Sequence, residues 1–124
     1  MTRNSKTDQT IDKNEIEEPI WHRQIDLLLA MHLKMATCIT YQKLAEEAQI
    51  TPPHRIHKLT LYLERLIKAD VEQGEFIRAS LVISKVRGLP APGFFSLLDT
   101  LGFQIDDQKN WHDNYIKKAS TLFE

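Results

Sequence analysis

His54, Arg55, Lys58 and Arg65 fall in one short segment, and Lys85 and Arg87 follow an apolar run further along. Guanidinium, ammonium and imidazole groups suit phosphate oxygens and base edges, so these six residues are the candidate nucleic-acid contacts. His54-x-x-His57 would set two imidazoles on one side of a helix, as some zinc sites do. Cys38, His22, His32 and His112 are scattered and give no convincing third ligand, so no metal is expected. Asp106-Asp107 reads as a helix cap with a negative charge at a helix start, and Glu46-Glu47 as a solvated helix edge. No phosphate-binding glycine loop, nucleophile elbow or acid/base pair stands out. These residues predict a binding protein rather than an enzyme, with no cofactor and no small-molecule substrate.

The chain has 124 residues, 42% of them hydrophobic, and a formal charge of −1. That length suits one globular domain with a single core. A near-neutral chain has no global field to draw it onto DNA or an acidic membrane, so a nucleic-acid site must be a local patch. Cys38 is the single cysteine, which excludes an internal disulfide and fits a reducing compartment. The apolar stretch Ile25 to Ala36 is broken by Asp26, His32 and Lys34 and cannot span a bilayer. Met1 to Lys13 lacks the apolar core of a signal peptide. A cytoplasmic location and no membrane partner are expected.

The elements that must position the cations follow from periodicity and caps. Residues 1–17 are polar and read as a flexible arm. Pro19 suits the first turn of a helix running to about Met35, with Ile25, Leu28, Leu29, His32 and Met35 at helical spacing. Leu27, Met31 and Leu33 widen that stripe and predict cover on more than one side. Cys38-Ile39-Thr40 is a short β-prone run, and Thr40 is the expected cap of a helix from Tyr41 to Ala48. Thr51 is then expected to cap a helix that begins at Pro52-Pro53, runs to about Gln73 and stops at Gly74. Arg78 to Ser84 is the clearest strand. Lys85 to Gly88 forms a loop stiffened by the Leu89-Pro90-Ala91-Pro92-Gly93 run after it. Two helices close the chain: Phe94 to Leu101, and Asp107 to Phe123 with Trp111, Tyr115, Ala119 and Leu122 on one face.

That order predicts a mainly α fold: a winged helix-turn-helix over 18–105 with a wing sheet of two or three strands. Residues 106–124 form a C-terminal helical extension packed on the domain. Ile39, Leu44, Ile56, Leu59, Leu63, Val82, Phe94 and Leu98 are the expected core. On the long helix, Ile56, Leu59, Thr60, Leu63, Leu66 and Ile67 share one face, and His54, Lys58, Leu61, Arg65 and Lys68 the opposite one. The charged stripe is a phosphate reader or simply a solvated face. Leu61 and Tyr62 lie off the main apolar face; either Trp111 and Tyr115 of the last helix cover them, or these four residues form a protein-interaction surface. DNA, a protein partner or a second copy of the chain are thus the candidate partners.

Residues 39–105 resemble the C-terminal winged-helix domain of alkylguanine-DNA alkyltransferases and alkyltransferase-like proteins. Ile39-Thr40-Tyr41-Gln42-Lys43-Leu44-Ala45 is similar to that family's helix opening, and His54-Arg55-Ile56-His57-Lys58-Leu59 stands in the place of its recognition helix. Leu81-Val82-Ile83-Ser84 with Gly88 resembles the strand after its active-site segment. Leu97-Leu98-Asp99-Thr100-Leu101-Gly102-Phe103 resembles its closing helix. The resemblance implies the winged-helix fold and DNA contact. Ala79-Ser80 stands where the family's acceptor Cys-His would be, and Gln42 and His57 replace its glycines. Alkyl transfer needs an activated thiolate beside a base, so the expected function is non-enzymatic DNA binding, in regulation or as a DNA-repair accessory. The alternative is a protein-interaction module on the same scaffold.

Overall fold

The computed structural model describes residues 18–123, so the arm expected over 1–17 lies outside the described residues. Helix α1 (Ile20–Met35) follows Pro19, whose extended backbone sits just before the first turn. It buries Trp21, Ile25 and Leu29, a single i, i+4, i+8 stripe. Leu27, Met31 and Met35 are 55%, 46% and 53% exposed, so the described residues do not supply the cover on more than one side that the wide stripe predicts. The described neighbours are enough to bury one face only. Ala36 adopts a left-handed φ of 55° and ends the helix.

Strand β1 (Ile39–Thr40) leads directly into helix α2 (Tyr41–Glu47), and the Thr40 hydroxyl accepts the Lys43 N–H at 3.2 Å as the expected cap. Helix α3 (Arg55–Gln73) starts later than the sequence reading places it, and Thr51 does not cap it. A residue before proline is driven out of the helical region. Pro52 itself precedes a proline, so it is disfavoured as the first helical residue after a Thr51 cap. The Pro52–Pro53 bond is cis, and His54 stands at the N-cap with a φ of 60°. Gly74, with a φ of 69°, closes α3 as expected.

Arg78–Ser84 is not the expected strand. Residues Arg78–Leu81 form a 3-10 turn, and only Val82–Ile83 is extended, as β2. The cause is Asp70 on α3, which accepts the Arg78 backbone N–H at 3.0 Å and its guanidinium at 2.8 Å, curling the chain back onto the helix. β2 pairs in parallel with β1, Ile39 opposite Val82 and Thr40 opposite Ile83. A parallel pair requires a crossover connection, which α2 and α3 supply. In place of the expected wing sheet of two or three strands, the described residues form this one two-residue parallel pair, and Lys85 to Gly88 is a turn after β2.

Helix α4 (Pro92–Thr100) begins earlier than Phe94, because proline is well suited to a first helical position. Helix α5 (Gln108–Ala119) is capped by Asp107, which accepts the Asn110 N–H at 3.0 Å. It stops at Ala119 rather than running to Phe123, and Leu122 is exposed in the turn beyond it. Among the described residues the fold is thus mainly helical, five α-helices around one small parallel sheet. Ile39, Leu44, Leu59, Leu63, Val82, Phe94 and Leu98 are buried in a common core. Ile56, the eighth expected core residue, is 45% exposed. No helix among the described residues is long and apolar enough to cross a membrane.

Candidate nucleic-acid interface

The parallel pair brings two chain ends to the same edge. β1 ends at Thr40, and Tyr41 and Gln42 open α2; β2 ends at Ile83, and Ser84, Lys85 and Arg87 follow in the turn. Ile56 and Thr60, near the start of α3, form one wall beside them, and Ala91 and Pro92 close the far side. Together these residues enclose an open cleft of about 350 Å³. Ile56 is exposed because it lines this cleft at the edge of α3's buried face. Among the described residues the lining carries the cations Lys85 and Arg87 and no aspartate or glutamate.

Hydrogen bonds fix the cleft's shape. The Tyr41 hydroxyl accepts the Ala91 N–H at 2.8 Å and pins the proline-rich loop against α2. Burial pushes the Tyr41 phenol up, while its bond to Ala91 and the Arg87 charge act against that, so the ring stays neutral at ordinary pH. Arg87 donates from its backbone N–H to the Ser84 hydroxyl at 3.3 Å and from Nη1 to the Pro90 carbonyl at 3.2 Å. Its Nη2 reaches Gln108 Oε1 at 3.3 Å.

The six candidate cations divide into three groups. Lys85 and Arg87 line the cleft. His54 and Arg55 are exposed at the start of α3, with Arg55 over a shallow recess shared with Glu46, Gln49 and Pro52. Lys58 and Arg65 turn away towards α1. The Lys58 ammonium donates to the Thr51 carbonyl at 2.7 Å and faces a groove lined by Trp21 and Gln49. Arg65 pairs with Glu18 at 3.4 Å and lies 5.4 Å over the Tyr62 ring. The charged flank of α3 therefore faces away from the cleft, with Lys58 and Arg65 engaged by Thr51 and Glu18. On a helical wheel Lys58 and Arg65 sit on the flank opposite Ile56 and Thr60.

The four residues of the expected protein-interaction surface are also separated. Leu61 is 53% exposed, whereas Tyr62 is buried. The cover on Tyr62 is α1, not the last helix: its ring stacks on His22 at 4.0 Å, meets Trp21 edge-on, and its hydroxyl donates to Asp26 at 2.8 Å. Trp111 and Tyr115 stack on each other at 4.7 Å and pack against Phe94, Phe95 and Phe76 instead. Among the described residues no three His, Cys, Asp or Glu side chains are grouped to hold a metal ion. Burial raises the Cys38 thiol above its ordinary range, which disfavours a thiolate there.

Sequence reasoning misses Thr40, Gln42 and Thr60 as lining of this cleft, and Gln108 as the acceptor that meets Arg87 from outside it. Thr40 and Gln42 stand in the helix-opening motif, where their visible signal is a cap and a surface position. Comparison with protein-family models, with curated proteins and with solved structures finds no match to this chain.

Proposed function

We propose that this chain binds nucleic acid without acting on it chemically, through the cleft between α3 and the turn after β2. The observation that carries the reading is the cleft lining: Lys85 and Arg87, the apolar side chains of Ile56, Ile83 and Pro92, and no acid among the described residues. A flat apolar base next to a phosphate matches that combination, since cations take the backbone and the wall takes the base. His54 and Arg55, exposed at the start of α3 and next in sequence to Ile56 of the cleft, extend the phosphate contacts, and the positive end of the helix dipole adds to them. In this reading α2 and α3 are the helix-turn-helix of a reduced winged helix, and the resemblance to alkyltransferase-like proteins supports DNA as the ligand. Transcription regulation and an accessory part in DNA repair, both in the cytoplasm, are the roles such binding would serve.

Salt-titrated binding to mixed-sequence DNA, duplex and single-stranded, tests the proposal. Affinity should fall steeply with salt, and Lys85→Ala with Arg87→Ala should flatten the slope by about one unit for each phosphate contact removed. Absence of binding at low salt would end it. A second reading, a protein-interaction module, is favoured by the exposed Leu27, Met31 and Met35 on α1 rather than by the residues around Tyr62. No DNA binding, together with self-association abolished by Leu27→Lys and Met31→Lys, would select it.

A further inference from the structure

Arg87 owes its place in the cleft to a residue outside it. Its side chain is exposed and long, and a free guanidinium would sample many rotamers. Two acceptors on different parts of the chain restrain it: the Pro90 carbonyl, from its own loop, and Gln108 Oε1, from the first turn of α5. Gln108 does not line the cleft. It is itself held, because Asp107 caps α5 and the helix is fastened at the Ser80 carbonyl by His112 at 2.8 Å. Two of the five guanidinium donors are used in this way, which leaves three for a ligand.

We infer that Gln108 is a positioning residue for the cleft: it presents the Arg87 guanidinium to a phosphate and so ties the cleft's affinity to the docked last helix. The inference rests on the nucleic-acid reading of the cleft. A preset fork loses less freedom when it closes on a phosphate, and that saving appears as affinity. On the nucleic-acid reading the ligand is a phosphodiester, two oxygens of which a bidentate planar donor can match.

The test is a double-mutant cycle on full-length protein, with binding to a fluorescent mixed-sequence oligonucleotide measured across a salt series. Gln108→Met keeps length and helix propensity and removes the acceptor. It should weaken binding about threefold to tenfold, the scale of one ordinary hydrogen bond at an exposed site. The salt slope should stay at the wild-type value, because the Arg87 charge remains. In the Arg87→Ala background, where the slope is already flatter, Gln108→Met should change nothing further. A purely structural role for Gln108 would lower affinity equally in both backgrounds, and that result would overturn the inference. So would unchanged or tighter binding by Gln108→Met when the wild type binds, which leaves the nucleic-acid reading standing. A wild type that shows no salt-dependent binding removes both together.

Discussion

Tyr41, Tyr62 and Tyr115 are all the tyrosines of the chain, and burial raises the phenol pKa of each. At Tyr62 the bond to Asp26 and that carboxylate's charge push in the same direction. The Tyr115 hydroxyl accepts the Ile77 N–H at 2.8 Å, so each ring also anchors a different contact. In the unfolded chain tyrosine ionises near pH ~10. With folded values higher, the native state keeps protons that the unfolded state has lost, and stability falls as pH rises above that point. Near-ultraviolet absorbance should therefore show no phenolate step at about pH 10 in the native protein, and the urea midpoint should drop as the pH passes it. Three tyrosines titrating freely in a still-folded chain would contradict the burial. This level was only partly legible in sequence. Leu61 and Tyr62 are adjacent and look alike as off-face apolar residues, yet a wheel position 100° apart leaves one exposed and the other under α1.

Elements were legible wherever local chemistry determined them. Thr40 and Asp107 mark helix starts by their side-chain oxygens, and Gly74 marks a helix end by its left-handed backbone. Where a distant partner determines the conformation, the local pattern misleads. Arg78–Ser84 has the composition of a strand, but Asp70 turns its first half into a 3-10 turn. Asp70 is only 4% exposed, and Arg78 is its ion-pair partner at 2.8 Å. Its hydrogen bonds raise the Arg78 pKa, so the guanidinium keeps its charge. Asp70→Ala leaves a partly buried guanidinium without its partner and should cost about 3–5 kcal/mol by urea denaturation. Replacing both, Asp70→Leu with Arg78→Met, should cost clearly less, because no unpaired charge remains. Equal losses in the single and double variants would mean that the turn is held by something other than this pair. The turn feeds β2, and β2 sets Ser84 to Arg87 at the cleft mouth, so the double variant also tests whether the cleft survives without the clamp.

On the scale of the molecule, an amphipathic helix announces that it will be covered but not by what. The Trp111 and Tyr115 face of α5 was readable at i, i+4 spacing, whereas its neighbours Phe76, Phe94 and Phe95 come from separate segments that only the fold assembles. The cleft was illegible for the same reason, since the ends of both strands, one turn of α3 and the start of α4 contribute to it. His112 shows how far α5 is built into the rest: it is buried and bonded to the carbonyl of Ser80, a residue with no exposed surface. Deleting residues 107–124 would strip two partly buried aromatic rings from the core face, each worth at most about 1.5–3 kcal/mol, the value for full burial. It would also leave the Ile77 N–H and the Ser80 carbonyl without these partners, at roughly 1–3 kcal/mol each. The sum is comparable with the whole stability of an ordinary domain, about 5–15 kcal/mol. The truncated chain should lose cooperative thermal unfolding by circular dichroism. The full-length chain should have the mass of a monomer by light scattering, because α5 meets all these partners within its own chain. A truncated chain that melts like the full-length protein would sink this account of the last helix. A full-length dimer that reverts to monomer on truncation would instead assign α5 to an interface between copies.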